Sequence, residues 1–271
     1  MDISRLVFGK LCHVTYFKNH IFTETIMKKI LITGGCSGLG WEMSQLALRK
    51  WYEVDILDIS LWDKKLSDFP AKLQYLEGDI SQISADFVET LSQYDVVICN
   101  AGISLSGDYI EHSAEQNLKL MQINALGHME LIRLLLIHQK IKDSGNIGCI
   151  VSASQMLPFP IALWYAASKW ALDSFAWALS SYLTWRKISV SRVYPGPMPT
   201  AHVKYYGQEQ KRDQKSRRKV QKIAEKSLMW ILKRKKKIYP DSASKLIKIV
   251  SPFEWILAKL MYQTYKQNFH R

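Results

Sequence analysis

From Lys29 onward, short apolar runs alternate with longer stretches whose apolar residues recur at helical spacing. Ile30-Leu31-Ile32, Val54 to Leu57, Val96 to Cys99, Ile147 to Val151 and Ile188 to Tyr194 are largely apolar, the pattern of strands covered on both faces. Between them, Trp41 to Lys50, Val88 to Tyr94, Leu118 to Lys140 and Tyr165 to Arg186 predict helices. The third of these carries Leu120, Ile123, Leu131, Leu134 and Leu135 on one face. Strand and helix in turn imply βαβ units, and therefore an α/β fold with a doubly wound parallel sheet of about seven strands. No repeat or linker interrupts the body, which reads as one domain over residues 27–240.

The flanks differ from the body. Residues 1–26 show no period and no secretory pattern, and read as a disordered leader or a mis-assigned upstream start. Arg5, Lys10 and Lys18 leave a surface-binding tail as the alternative. Lys215 to Lys237 places Val220, Ile223, Ala224, Ile231 and Leu232 at helical spacing, with lysine and arginine on the remaining face. Residues 241–271 form a C-terminal amphipathic extension. In it Ser251-Pro252-Phe253-Glu254 has the form of a capping box, and Ile256, Leu257, Leu260, Met261 and Tyr265 make one stripe.

Composition narrows this picture. The 271 residues are 48% hydrophobic and 23% charged, a globular balance. No uncharged apolar run reaches the ~18 residues of a membrane span. The formal charge of +13 is concentrated, since Lys204 to Lys248 holds 16 Lys/Arg against 4 Asp/Glu. Such a stretch is a solvated basic face or a contact for an anionic membrane surface or acidic partner; without aromatic stacking motifs, nucleic acid is disfavoured. Cys12, Cys36, Cys99 and Cys149 form no C-x-x-C pair, which reads as a reducing, cytoplasmic setting, with peripheral membrane contact as the alternative. Seven histidines make no metal-binding spacing, and no metal site is expected.

The candidate chemistry begins at Thr33-Gly34-Gly35-Cys36-Ser37-Gly38-Leu39-Gly40, a glycine-rich turn between a strand and a helix. Backbone N–H groups and the helix dipole there can receive a pyrophosphate. Asp58 ends the second strand, where a carboxylate accepts from both adenosine ribose hydroxyls and repels a 2′-phosphate. No Lys or Arg lies between Gly34 and Gly40, so NAD is expected over NADP. Asp79, followed by Ile80, faces the adenine or simply forms a turn. Tyr165 and Lys169 stand four apart on one helix face, where an ammonium favours the phenolate and brings tyrosine toward an acid/base range.

Together with Asn100-Ala101-Gly102, Asn124, Ser152 and Pro195-Gly196-Pro197-Met198-Pro199-Thr200, these motifs resemble the short-chain dehydrogenase/reductase family from about Lys29 to Thr200. The resemblance implies a Rossmann-type domain that binds NAD(P). It implies a tetrad of Asn124, Ser152, Tyr165 and Lys169, in which Tyr165 exchanges a proton with the substrate oxygen and Ser152 holds that oxygen. Lys169 would depress the Tyr165 pKa and hold the nicotinamide ribose, and Asn124 would brace a helix distortion and a relaying water. Thr33, Gly34, Ser37, Gly38, Leu39, Gly40, Asp58, Asp79, Ile80, Asn100, Ala101 and Gly102 would line the cofactor, with Pro195, Gly196 and Thr200 near its nicotinamide. Ser152 is preferred to Ser154, the latter being a structural hydroxyl.

The region about 200–237 would make the substrate lid, with Met198, Tyr205 and Tyr206 as candidate pocket walls. The expected activity is hydride transfer between NAD(H) and a secondary alcohol or ketone, small or lipid-like. Homo-oligomers are expected by the same resemblance. Two other readings stand beside it: a non-catalytic dinucleotide-binding sensor or scaffold working through its basic C-terminal surface, and isomerase, epimerase or dehydratase chemistry at the same site.

Overall fold

In the computed structural model, residues 27–59, 72–198 and 214–269 are described. Seven parallel strands form one sheet in the order β3-β2-β1-β4-β5-β6-β7. They are β1 (Lys29–Thr33), β2 (Glu53–Asp58), β3 (Leu73–Glu77), β4 (Tyr94–Cys99), β5 (Ile141–Ile150), β6 (Ser189–Val193) and β7 (Lys237–Ile238). The helices are α1 (Gly38–Arg49), α2 (Ala85–Thr90), α3 (Ala114–Met121), α4 (Gly127–Ile137), α5 (Leu163–Tyr182), α6 (Gln214–Leu232), α7 (Ser242–Val250) and α8 (Glu254–Phe269).

Period-two alternation along β1 divides the interior into two cores. Ile30 and Ile32 face one core with Met43 of α1 and Val220 and Ile223 of α6. Leu31 faces the other, with Leu131 and Leu135 of α4 and Leu172 of α5. Helices therefore cover both faces, as the unbroken apolar strands require. The strand order reverses between β1 and β4, which pair with each other, and a crevice opens beyond their carboxyl ends.

Several boundaries differ from the sequence pattern. The helix expected over Val88 to Tyr94 ends at Thr90, because Tyr94 begins β4 and donates its hydroxyl to buried Asp55 at 2.7 Å. Leu118 to Lys140 is not one regular helix: a π-helical turn at Gln122–Leu126 separates α3 from α4. Ala114–Ile137 is long and apolar enough to cross a membrane by length and composition, yet 56% of its apolar window is buried against the sheet. At Ser251 the hydroxyl donates back to the Lys248 carbonyl at 3.2 Å, closing α7, and a 3₁₀ turn over Ser251–Phe253 leads into α8.

Candidate functional site

The glycine-rich turn is built by close backbone approach. Gly34 adopts φ +63°, and a Cβ there would lie 2.7 Å from the Ala101 Cα. A Cβ on Gly40 would run into the Gly34 carbonyl oxygen and the Asn100 amide. Asn100 holds the turn from β4, donating its Nδ2 to the Thr33 and Gly34 carbonyls at 3.0 Å each. The Thr33 hydroxyl accepts from the Asn100 and Ala101 backbone N–H groups at 2.9 and 3.0 Å. The strand ends of β1 and β4 are thus tied into one rigid shelf.

The α1 helix begins above that shelf without a side-chain cap at Ser37, and Leu39 and Gly40 are buried within its first turn. These glycines leave a cradle that a side chain would fill, at the positive end of a helix dipole, which suits a dinucleotide pyrophosphate. Asp58 closes one side: its carboxylate accepts from the Cys36 N–H at 2.9 Å and so sits at the mouth of the turn. Asp79 caps the 3₁₀ turn at Ile80–Gln82, accepting from the Ser81 N–H and hydroxyl at 2.8 and 2.7 Å. Those bonds give Asp79 a structural task at the rim, which is the turn-forming alternative, and Ile80 is buried beside it.

On the other side of the crevice the structure brings Asn124, Ser152, Tyr165 and Lys169 together. Asn124 lies in the π-helical turn and is wholly buried. Its Oδ1 accepts from the Ile103 N–H at 2.8 Å, and its Nδ2 donates to the Ile103 carbonyl at 2.9 Å and to Ser168 Oγ at 3.1 Å. A Cβ on Gly102 would meet Asn124 Oδ1 at 3.1 Å and Lys169 Nζ at 3.4 Å, so Gly102 lets β4 reach both. Lys169 is buried, donates to the Ile150 carbonyl at 3.1 Å and lies 5.8 Å from the Tyr165 ring centre.

Ser152 lies beside the Tyr165 phenol, and its Oγ is 2.6 Å from that of Ser154. Both serines are therefore in one chain of hydroxyls, with Ser152 next to the phenol. Burial raises the Tyr165 pKa above its ordinary value, and the neighbouring Ser152 hydroxyl partly offsets this. Depression by Lys169 was the expectation; instead burial holds the lysine itself down to about 8, against the pull of Cys149 and Cys99. The amine is aimed at the Ile150 carbonyl, and burial is the larger influence on the phenol.

Pro195 and Gly196 follow β6, and the Gly196 N–H donates to Asp241 at 2.8 Å. Thr200, Tyr205 and Tyr206 lie outside the described residues, as do residues 1–26. Met198 packs against the α1/α6 core.

Sequence reasoning missed the support beneath this site. His128 in α4 places Nε2 3.0 Å from the Thr33 hydroxyl. Burial chiefly, then the Lys169 charge, lowers its pKa to about 3, so the ring is neutral. Gln155 accepts from the Ser152 N–H at 3.3 Å and donates to Asp173 at 2.8 Å. Asp173 also receives Tyr194 Oη at 2.8 Å and Arg192 at 3.1 Å. One signal was available: Asp173 stands four residues after Lys169, hence on the same helix face.

The family profile described as short chain dehydrogenase matches residues 28–211. A dehydrogenase/reductase SDR family protein 7-like of Drosophila melanogaster is 30% identical over 188 residues, 64% of this chain and 58% of that protein. The chain spans 58 to 62% of the length of the curated relatives it first matches. The fold is similar to a short chain dehydrogenase/reductase from Burkholderia phymatum in complex with NAD, with TM-score 0.67, 18% identity, and coverage of 82% and 92% of the two chains. It is also similar to a short chain dehydrogenase from Burkholderia cenocepacia in complex with NADP, with TM-score 0.68, 19% identity, and coverage of 87% and 97%.

Proposed function

Because this chain belongs to the short-chain dehydrogenase/reductase family, we propose that it is an oxidoreductase acting on a secondary alcohol and its ketone with NAD(H). The observation that carries the reading is the meeting of Tyr165, Ser152, Lys169 and Asn124 across one crevice from the glycine cradle. A bound nicotinamide supplies or takes the hydride. The cradle at Gly34 to Gly40 would hold its pyrophosphate, with Asn100, Ala101 and Gly102 beneath the adenosine half.

Tyr165 moves the proton. Burial keeps its phenol protonated near neutral pH, the form that can donate to a carbonyl oxygen, while Ser152 fixes that oxygen by a hydrogen bond. Lys169, close to half-charged near its pKa of about 8, can hold ribose hydroxyls and pass a proton toward the phenol. Asn124 locks the π-turn against Ile103, which keeps α4 and α5 in register at the site. The Asp58 carboxylate at the mouth of the turn supports NAD over NADP, since a 2′-phosphate would meet a like charge there.

The test is a titration with NADH and with NADPH, read by nicotinamide fluorescence, followed by turnover of ketones in the wild type and Tyr165→Phe. The expected result is tighter NADH binding, and turnover reduced about 10²- to 10⁴-fold in the variant at nearly unchanged NADH affinity. Wild-type turnover in the variant removes Tyr165 from the mechanism. Nucleotide binding without turnover of any ketone favours the non-catalytic sensor or scaffold, and binding of neither nucleotide overturns the proposed function.

A further inference from the structure

The C-terminal helices expose an unusual amount of apolar surface at the same edge of the sheet as the site. Leu246, Ile249, Phe253, Ile256 and Leu260 follow one another at spacings of three and four, and all are exposed. Trp255 and Tyr262, seven residues apart, add a second exposed strip and are 72% and 58% accessible. Monomeric surfaces rarely gather so many large apolar side chains in so short a segment without a contact to make.

This segment is anchored to the body by its other side. Ser244 of α7 is fully buried, Ile247 packs on the α4/α5 core, and Asp241 caps α7 while accepting from the Gly196 N–H. Furthermore, α7 packs beside the 3₁₀ turn Ala153–Met156 that directly follows Ser152. Among the described residues, α8 packs chiefly on the turn Ser251–Phe253 that precedes it. The α7 part of the exposed strip is therefore fixed to a wall of the site, and α8 continues from it through the Ser251–Phe253 turn.

Charge decides what can cover it. From Ser242 to Arg271 the charged residues are Lys245, Lys248, Lys259, Lys266 and Arg271 against Glu254 alone. Lys245 and Lys259 are exposed beside the apolar stripe. Two copies joined through these helices would bring two lysine-rich surfaces together, which costs energy. An anionic bilayer turns that charge into attraction, and Trp255 and Tyr262 are side chains suited to the headgroup region. The apolar arc, two strips rather than one seam, is also wider than a single partner helix covers.

We propose that α7 and α8 dock on an anionic lipid surface, holding the carboxyl edge of the sheet, and with it the Tyr165 site, against the bilayer. The densest basic run, Lys233–Lys237, takes no part in this contact. It lies at the opposite edge, where Arg234 donates to the carbonyls of Ser144, Gly145 and Lys187 at the starts of β5 and β6. The surface would admit an apolar substrate from the membrane, which deepens the proposed oxidoreductase reading, but the docking itself is independent of turnover.

The experiment is flotation of the full chain with vesicles of phosphatidylcholine alone and of a phosphatidylcholine–phosphatidylserine mixture, at low and high salt. Binding to the mixed vesicles, weakened by salt, is expected. The triple variant I249S/F253S/W255S should bind about tenfold more weakly or less, with its melting temperature unchanged because all three side chains are exposed. K245Q/K259Q should lose several-fold of the binding by charge alone, and K233Q/K236Q should bind as the wild type does. Absence of flotation by the full chain overturns the proposal, whether a second copy or residues 1–26 cover the face. So does loss of binding confined to K233Q/K236Q, which would place the contact at the other edge.

Discussion

Thr33 shows how one side chain can set a site from below. Its hydroxyl is a fixed point for the Asn100 and Ala101 amides and for the His128 ring, and Thr33 and His128 are both fully buried. Because His128 must stay neutral, it links the shelf to pH. Its folded pKa of about 3 lies below the unfolded 6.5, so the unfolded chain binds a proton first as pH falls. The contribution of His128 is thus intact above about pH 6.5 and is lost progressively toward pH 3. His128→Asn should flatten the acid limb of stability by up to about 1.4 kcal/mol per pH unit, measured as urea midpoints across that range. An unchanged slope would mean that the ring protonates in the folded state. Nothing in the sequence around His128 distinguished it from an ordinary core histidine, since its partner lies 95 positions away.

At the scale of elements, glycine placement was legible because backbone geometry is local. A turn that passes through φ +63° at Gly34 and +52° at Gly38 has few residue choices. Gly40 is demanding for another reason, as its Cβ would strike the Gly34 carbonyl and the Asn100 amide. Gly40→Ala should therefore weaken NADH binding about tenfold or more and lower the melting temperature, both read on the same protein. Full affinity in that variant would separate the turn from the nucleotide. Apolar spacing did not reveal the π-helical turn at Gln122–Leu126, although the family resemblance did imply a helix distortion at Asn124. Its apolar spacing satisfies a regular helix, and the extra residue per turn is stabilised by the Asn124 bonds to Ile103 and Ser168, which only the assembled chain provides.

For the molecule as a whole, Asp173 joins parts that the chain order separates. It receives Gln155 from the Ser152 turn, Arg192 from β6 and Tyr194 just after that strand. Asp173→Ala should cost about 3 to 5 kcal/mol, because the Arg192 guanidinium is left without its carboxylate, and Asp173→Asn should cost less. Chemical denaturation of the three proteins measures this, and equal stability would show that Arg192 is satisfied elsewhere. The sequence by itself determined the alternation of strand and helix, the doubly wound class, the glycine turn and the identity of the four residues that meet at the crevice. The alternation, the class and the turn follow from hydrophobic period and φ restrictions, which act over a few positions; the four residues were named by the family resemblance, with only the Tyr165–Lys169 pair read from spacing within one helix. The tertiary structure alone decided that burial, more than Lys169, governs the Tyr165 phenol. It also decided that Asp79 caps a turn, that His128 and Asp173 brace the site, and that the basic run and the exposed C-terminal helices lie at opposite edges of the sheet. Desolvation, long-range hydrogen bonds and shared surfaces depend on which distant segments pack together, and no local pattern carries that information.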